Sequence, residues 1–329
     1  MPYVSIFTQQ KIKKMKKLIK SILLILIPVF GLCQGVELIS SENSELPEDN
    51  IWSIGIDSSG AKWIGTSQSG LVRYKNEEFT IYNDSTSNFK GSYISPLHCD
   101  SNGKVWVNVS KPDKLYVIEN DQFKEIKNEV LKKLGGVIAI AEDQNGVIYF
   151  GGMYGVVKFE NNTWTKIALP SKSLTVRAIA VSNNGELAVG HNRGLIIIKE
   201  GEFEIFEVKE GELQLSVVRG LRYMDDDKLI IGYGGGRGNG GFSIKAGSEW
   251  THYNRDNARI VDHMVRDIEV DKDNIYWMAT NEGLTFLREG IADTVFFREG
   301  RMKNTIMDIA IHENEIWVAT NFGVIQIKK

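Results

Sequence analysis

Cysteine and histidine are scarce in this sequence, which limits the sites that it can form. The chain has two cysteines, Cys33 and Cys99, and its five histidines show neither HxxxH nor HxH spacing. No zinc site or other histidine-based metal site is therefore predicted. No GxSxG motif occurs, and no serine has a histidine and an acid at spacings that suggest a hydrolytic triad. We expect no metal, no cofactor and no catalytic residues of these types.

Long apolar runs are also absent, except for one short segment near the N-terminus. A lysine-rich stretch at 11–20 is followed by an apolar stretch at 22–32, which contains Pro28. The apolar stretch is roughly half of the ~20 residues that a membrane-spanning helix needs. A basic segment followed by a short apolar one predicts a secretory signal peptide over 1–33, with Met15 as an alternative true start.

This signal predicts that the protein is exported. Cleavage after Cys33 would leave 34–329 as a periplasmic or secreted protein with no integral membrane segment. Acylation of Cys33 would instead anchor the protein as a lipoprotein, although Leu32 stands where a small residue should precede the cysteine. In either case Cys99 has no partner, so no internal disulfide forms and packing must hold the fold.

Neither sign of charge is in strong excess. The chain has 39 basic and 42 acidic residues and a formal net charge of −3, and six of the lysines lie in 1–33. The remainder is therefore mildly acidic. This balance argues against nucleic acid or an anionic membrane surface as a partner.

One structural unit is repeated seven times along the sequence. It consists of an apolar strand, a turn rich in Asp, Asn and Gly, a second strand, a loop with Gly, a third strand and an aromatic fourth strand. The second strands end at Gly65, Asn108, Gly151, Gly190, Gly232, Ala279 and Ala319. These positions are 39 to 47 residues apart. Such repeats predict an all-β fold over 34–329, a seven-bladed β-propeller with four-stranded antiparallel blades.

Two residue types recur inside this unit for mechanical reasons. A glycine opens the third strand, where a side chain would crowd the hairpin return, at Gly70, Gly155, Gly194, Gly241, Gly283 and Gly323. The second unit has Lys114 there instead. Tryptophans occupy equivalent second-strand positions at Trp63, Trp106, Trp277 and Trp317. Their repetition predicts wedges packed between neighbouring blades rather than ligand-binding residues.

The two ends of the chain predict how the ring of blades closes. The seventh unit stops after its third strand, at 326–329, and the segment 36–41 has the length and alternation to supply the missing fourth strand. The N-terminal strand is therefore predicted to complete the last blade. Closure of this kind removes the exposed sheet edges that an open arrangement would present.

The unit at 50–74 contains the pattern ID-SSG-AKWIGT-SQSGL-VRY. It resembles the two-component regulator propeller repeats of periplasmic sensor regions in hybrid histidine kinases, and 265–288 and 305–327 resemble them well. The resemblance implies a propeller, and relatives in sensors detect polysaccharide fragments. No second propeller, transmembrane helix or kinase follows these repeats in the sequence. We therefore expect ligand capture or protein docking rather than signalling through the chain itself.

Alignment of the seven first strands by their turns predicts a binding site at the channel mouth. One equivalent position is occupied by Trp52, Ser95, Ile138, Arg177, Arg219, Arg266 and Met307. The three arginines come from adjacent blades, and guanidinium groups are well shaped to bind a carboxylate, a sulfate or a uronic acid. The alternative is that these arginines only brace loops between blades.

Loops between second and third strands add further candidates. The loop 233–241 contains a GxGxxG motif, but a strand follows it rather than a helix, so dinucleotide binding is not predicted. We expect this loop to present Tyr233 and Arg237 to the channel. His191 lies in a neighbouring loop. The candidate ligand-binding residues are Trp52, Arg177, His191, Arg219, Tyr233, Arg237 and Arg266.

These features favour a non-enzymatic binding module over an enzyme. The expected ligand is an anionic oligosaccharide at the channel mouth, or an envelope protein. The alternative is a carbohydrate-active lyase or hydrolase on the same scaffold, for which the sequence shows no cluster of an acid and a base. A third hypothesis is a scaffold whose rim loops dock another envelope protein while the channel stays empty.

Overall fold

A computed structural model describes residues 35–171, 174–209, 211–234, 240–260, 264–298 and 304–329. The predicted signal peptide, Met15 and Cys33 lie outside these residues. The described chain forms seven four-stranded antiparallel sheets, so the predicted seven-bladed β-propeller is confirmed. The first strands of successive blades contact one another in a closed ring around a central channel.

The first four blades follow the chain in order. Blade one consists of β2 (Ile51–Ile56), β3 (Lys62–Thr66), β4 (Leu71–Lys75) and β5 (Glu78–Tyr82). Blade two consists of β6 (Ser92–Cys99), β7 (Val105–Lys111), β8 (Asp113–Glu119) and β9 (Gln122–Glu125). Blade three consists of β10 (Val137–Glu142), β11 (Ile148–Gly152), β12 (Gly155–Glu160) and β13 (Thr163–Ile167). Blade four consists of β14 (Val176–Val181), β15 (Leu187–His191), β16 (Gly194–Lys199) and β17 (Glu202–Phe206).

The last three blades complete the ring. Blade five consists of β18 (Val218–Tyr223), β19 (Leu229–Tyr233), β20 (Phe242–Ala246) and β21 (Glu249–Tyr253). Blade six consists of β22 (Val265–Val270), β23 (Tyr276–Thr280), β24 (Gly283–Arg288) and β25 (Ile291–Val295). Blade seven consists of β26 (Ile306–His312), β27 (Glu315–Thr320), β28 (Gly323–Lys328) and β1 (Gly35–Ile39).

Helix is nearly absent from the described residues. The short helix α1 (Glu129–Lys132) joins blades two and three, and the Asn128 side chain caps it by accepting hydrogen bonds from the Val130 and Leu131 N–H groups. No helix in the described ranges is long and apolar enough to span a membrane.

Blade seven is closed by the N-terminal strand, as predicted. Strand β1 pairs antiparallel with β28 over five residue pairs, from Gly35 with Lys328 to Ile39 with Val324. The Gly323 N–H also donates a hydrogen bond of 2.7 Å to the Asp49 carbonyl. The ladder joins the two ends of the described chain in one sheet. Strand β1 thereby covers the edge that β28 would otherwise expose.

In blades one, two, three and six, one aspartate clamps the turn between the first and second strands. In blade one, Asp57 Oδ1 accepts hydrogen bonds from the Ser59 and Ala61 N–H groups at 2.8 and 3.1 Å. Its Oδ2 accepts a bond of 2.8 Å from Trp63 Nε1. Burial alone would raise the pKa of Asp57, but the hydrogen bonds from Ser59, Trp63 and Ala61 outweigh it and lower the pKa. One carboxylate therefore holds both the turn and the indole ring.

Each repeated tryptophan packs against the next blade around the ring, which confirms its role as a wedge. Trp63 of blade one is buried in a cluster with Ile94 and Val107 of blade two. Trp317 of blade seven is buried in a cluster with Ile51 and Ile54 of blade one. The tryptophans thus supply apolar contact between sheets that share no backbone ladder.

In blades four and five, the residue near the end of the second strand is glycine because the next blade lies directly against it. A Cβ atom at Gly232 would lie 2.6 Å from Val265 Cγ1, and one at Gly190 would lie 2.5 Å from Val218 Cγ1. The glycine that opens the third strand has a different cause. Gly241 has φ +93°, and a Cβ there would overlap the Tyr253 carbonyl oxygen. At Gly232 and Gly190, the close approach of the next blade requires glycine. At Gly241, the positive φ and the nearby carbonyl oxygen both require it.

We expect Gly232→Ala to lower the free energy of unfolding by about 1–3 kcal/mol, the usual cost of overpacking a core. Urea unfolding followed by tryptophan fluorescence measures this change. The equivalent position in blade six is Ala279, so Ala279→Gly serves as the control and should cost only about 0.5–1 kcal/mol. An unchanged stability of Gly232→Ala would contradict close packing at this interface.

Candidate functional site at the channel mouth

Every first strand has an irregularity near its start that aims one residue out of the ladder. In blades four, five and six the pairing shifts between Val176 and Ala178, between Val218 and Gly220, and between Val265 and Asp267. The same shift occurs in the other four blades. Bulges of this kind leave the extra residue unpaired and re-aim its side chain.

The bulged positions are the seven that sequence alignment placed together. They are Trp52, Ser95, Ile138, Arg177, Arg219, Arg266 and Met307, with Pro96 also skipped in blade two. All seven line a channel cavity of about 370 Å³. They also line a second space of about 290 Å³, which extends to Tyr93 and Ser110. The structure therefore brings Trp52 and the three arginines together.

Arg177 and Arg219 each have one buried nitrogen without a partner among the described residues. In both residues this nitrogen is Nε. Arg266 is held by Asn281, whose Oδ1 accepts from Nη2 at 2.7 Å and from Nε at 3.3 Å. Burial lowers the pKa of Arg219, and the positive charges of Arg177 and Arg266 lower it further. Arg219 therefore lies close enough to Arg177 and Arg266 for their charges to act on it.

A glycine without an obvious sequence signal makes room for Arg219. A Cβ atom at Gly234 would overlap Arg219 Cδ and lie 2.6 Å from Arg219 Nε. Gly234 is fixed in place because its N–H donates a hydrogen bond of 2.8 Å to the Val217 carbonyl. The arginine side chain thus lies directly on the backbone that follows β19.

An aromatic pair lies on the other side of the mouth. The ring centroids of Trp52 and Tyr93 are 4.6 Å apart, with the planes tilted by 42°. Trp52 Nε1 is buried and has no hydrogen-bond partner among the described residues. Sequence analysis did not select Tyr93, which comes just before the blade-two bulge. Its φ of +61° is unusual for a residue with a side chain.

His191 and Tyr233 do not line the channel. His191 is buried, its Nδ1 accepts a 3.1 Å hydrogen bond from the Arg193 N–H, and burial lowers its pKa to about 4. Tyr233 is completely buried, and its hydroxyl bonds Ser243 Oγ at 2.7 Å and accepts from the Gln214 N–H at 3.1 Å. Neither side chain can contact a ligand in the channel without rearrangement. Arg237 lies outside the described residues.

Two carboxyl groups that sequence analysis missed lie deeper in the channel wall. Asp267 of blade six accepts a 3.1 Å hydrogen bond from the Ile309 N–H of blade seven. Asp308 of blade seven accepts one of 2.8 Å from the Ile54 N–H of blade one. Burial and then the negative charge of Asp267 raise the pKa of Asp308 well above its usual range. These two residues connect three neighbouring blades.

The described residues contain one serine–histidine contact, and it does not form a hydrolytic triad. Ser243 Oγ and His252 Nδ1 are 2.8 Å apart, but Ser243 is completely buried and no acid orients the histidine. His252 Nε2 faces Gln214 Nε2 instead. Within the described ranges, no group of three or more His, Cys, Asp or Glu residues is arranged to hold a metal ion.

Comparison with known proteins supports the fold. No protein-family model and no curated protein matches the sequence. Virginiamycin B lyase from Staphylococcus aureus superposes with a TM-score of 0.72 and 17% identity, over 89% of this chain and 98% of the lyase. The extracellular domain of a putative hybrid two-component system from B. thetaiotaomicron gives 0.71 and 17%, over 89% of this chain and 41% of that one.

A surface component of a secretion system has the same fold. PorZ, from the type-IX secretion system of Porphyromonas gingivalis, superposes with a TM-score of 0.65 and 16% identity, over 85% of this chain and 46% of PorZ. At such identities the likeness shows the fold alone. The resemblance of the repeats to two-component regulator propellers is therefore supported at the level of architecture.

We expect Gly234→Ala to leave the fold intact and to displace the Arg219 side chain, because the new methyl group would occupy its place. A crystal structure of the variant measures this displacement. Gly35→Ala serves as the control because it adds a methyl group in open space. Gly247→Ala is unsuitable because Gly247 has φ +60°. An unmoved Arg219 in Gly234→Ala would contradict the contact.

The acidic pair predicts a specific pH dependence of stability. Because folding raises the pKa of Asp308, its protonated form stabilises the fold. That contribution is complete below the unfolded pKa of about 3.9 and is lost as the pH rises through the folded pKa. Asp308→Asn should remove this loss, so its unfolding free energy should fall less between acidic and neutral pH than that of the wild type. Parallel pH profiles in urea unfolding would contradict this assignment.

Proposed function

We propose that this protein is an exported, non-enzymatic binding propeller that captures an anionic oligosaccharide at its channel mouth. One observation carries the proposal. Arg177 and Arg219 present buried Nε atoms without partners to a cavity that Arg266 also lines. No acidic residue lines that cavity in the described part of the chain, whereas Asp267, Glu269 and Asp308 line the larger channel cavity that the same arginines share. An anion is the ligand that would accept from these arginines, since guanidinium groups bind carboxylates and sulfates through well-placed donors.

The opposite wall of the mouth favours a sugar over a simple inorganic anion. Trp52 and Tyr93 form a tilted aromatic pair beside the same cavity, and Trp52 Nε1 is a buried donor. Aromatic faces pack against the apolar face of a sugar ring, while donors at their edges bond its hydroxyl groups. An acidic sugar combines the ring that these residues would hold with the charge that the arginines would bind.

Export and a sensor-like role belong to the same proposal. The repeats resemble those of two-component regulators, and an extracellular domain of a putative hybrid two-component system shares the fold. A basic and then apolar segment at 1–33 is the sequence feature that supports export. The low identity to these proteins means that the ligand must be argued from the residues of this channel.

The lyase alternative has weaker support from the residues. A virginiamycin B lyase from Staphylococcus aureus has been solved with quinupristin, and it shares the fold at 18% identity. In the present protein, His191 is buried away from the smaller cavity and Ser243 is inaccessible. The larger channel cavity is lined by His98 and by Asp267, Glu269 and Asp308, which are the residues that a lyase could use. A lyase would release product from an acidic oligosaccharide on incubation with purified protein, so the same samples test both functions.

The test replaces Arg177, Arg219 and Arg266 with glutamine and measures thermal unfolding against neutral, carboxylated and sulfated oligosaccharides. A ligand at 100 times its Kd stabilises the wild type by about 2.7 kcal/mol. That corresponds to a rise in midpoint of roughly 2 °C or more for a domain of this size. The triple variant should lose this rise for acidic sugars, because each charged hydrogen bond contributes about 1.5–3 kcal/mol.

A second triple variant controls for the change in net charge. Arg255, Arg259 and Arg288 lie outside the channel and pair only loosely with acids, at 3.6–3.8 Å. Their replacement by glutamine should leave the ligand-induced rise unchanged. Equal binding by the wild type and the channel variant would overturn the proposal, and no response to any sugar would favour docking of an envelope protein.

A further inference from the structure

We infer that the channel contains a subsite for a carboxylate beside Ala178, where the Leu221 N–H would donate to it. This inference rests on the proposed function and specifies the anionic group that the site would recognise. Its basis is the repetition of the blades. Blades six and seven fill the equivalent subsite with a carboxylate of their own, whereas blades four and five, which carry Arg177 and Arg219, do not.

Asp267 and Asp308 show how the subsite works. Each directly follows the bulged residue of its first strand and accepts a hydrogen bond from the first strand of the next blade. The donors are the N–H groups of Ile309 and Ile54, at 3.1 and 2.8 Å. At these two places in the channel wall, a carboxylate therefore accepts a hydrogen bond from the backbone of the next blade.

Strand register places the Leu221 N–H in the same orientation as that of Ile54. In blade one the turn is closed by the Asp57 N–H, three residues after Ile54, and in blade five by the Met224 N–H, three residues after Leu221. Residue pairs alternate along an antiparallel ladder between those that exchange hydrogen bonds and those that do not. Leu221, like Ile54, therefore directs its N–H away from its own sheet.

The residue that faces this donor in blade four has no acceptor. Ala178 pairs with Gly190 just as Asp308 pairs with Ala319, so it occupies the same place in the repeat. Ala178, Gly220 and Leu221 all line the channel cavity. Ala178 and Leu221 therefore border the cavity, and both are largely buried in one hydrophobic cluster.

The residues next to Ala178 and Leu221 in sequence are positively charged, although Asp267, Glu269 and Asp308 line the same cavity from blades six and seven. Arg177 directly precedes Ala178 and Arg219 directly precedes Gly220, and both have buried Nε atoms without partners in the described ranges. A carboxylate has about four lone-pair sites and can accept from several donors at once. Where the chain supplies Asp267 and Asp308, their pKa values are raised. A carboxylate near Arg177 and Arg219 would have opposite charges beside it.

The subsite can be tested with acetate as a minimal carboxylate. The amide signal of Leu221 is followed by NMR in ¹⁵N-labelled protein during titration with sodium acetate, and in parallel with sodium chloride and sodium sulfate at equal ionic strength. We expect a saturable downfield shift of the Leu221 amide proton with acetate alone. No acetate-specific shift, or an equal shift with sulfate, would overturn a carboxylate subsite.

Ala178→Asp supplies an internal ligand for the same donor. In this variant the Leu221 amide proton should lie downfield before any addition and should not respond to acetate. The affinity for an acidic oligosaccharide should fall at least about tenfold. Ala178→Val fills similar space without an acceptor, so its Leu221 amide should not shift downfield. An acetate response in Ala178→Asp equal to that of the wild type would overturn the inference. If Ala178→Asp fails to fold, the wild-type titration still decides.

These outcomes separate the subsite from the proposed function. Loss of oligosaccharide binding in the triple arginine variant, together with a Leu221 amide that ignores acetate, would retain the anionic ligand and reject this position for its carboxylate. An acetate response at Leu221 without any oligosaccharide binding would retain the subsite and reject the sugar.

Discussion

The ring depends on one close contact that recurs at blade interfaces. A residue near the start of one first strand packs against the end of the second strand in the preceding blade, as Val265 does against Gly232 and Val218 against Gly190. No room remains there for a larger side chain. Because adjacent blades share no backbone ladder, this contact and the tryptophan wedges hold them together. The bulge follows directly after that residue, so the packing that joins the blades also fixes which side chains enter the channel.

This coupling explains why the fold and part of the site can be predicted from sequence. Turn residues, the tryptophans and the small residues recur at fixed offsets, so counting back from each turn finds the bulged position in every blade. Trp52 and the three arginines were identified in this way. Tyr233 shows where such reasoning stops, since its hydroxyl finds Ser243 and Gln214 inside the blade. Gly234, Tyr93 and Asp308 were missed because their roles arise from contacts with distant segments.

Adjacent residues of one strand give the channel opposite charges at successive levels. Arg266 is a bulged residue held by Asn281, and Asp267 follows it and accepts from blade seven. A charge in such an interior is costly unless it is paired or neutralised. The acids are stabilised by backbone donors and by a raised pKa, which favours the neutral form. Arginine cannot become neutral in this way, because it stays protonated throughout the ordinary pH range.

The charges next to Ala178 are therefore positive without a neighbouring carboxylate from the same strand. An aspartate at position 178 would have a donor in Leu221 and opposite charges in Arg177 and Arg219, yet the chain has alanine there. Elsewhere in the repeat, aspartates clamp several turns, glycines admit neighbouring blades, and Asp267 and Asp308 link first strands. Ala139 and Gly220 also lack a carboxylate at the position of Ala178, but Arg177 directly precedes Ala178. Departures from such consistency concentrate at functional sites. The buried Nε atoms of Arg177 and Arg219, which have no partner among the described residues, are such a departure, and a ligand that brings its own carboxylate would remove it.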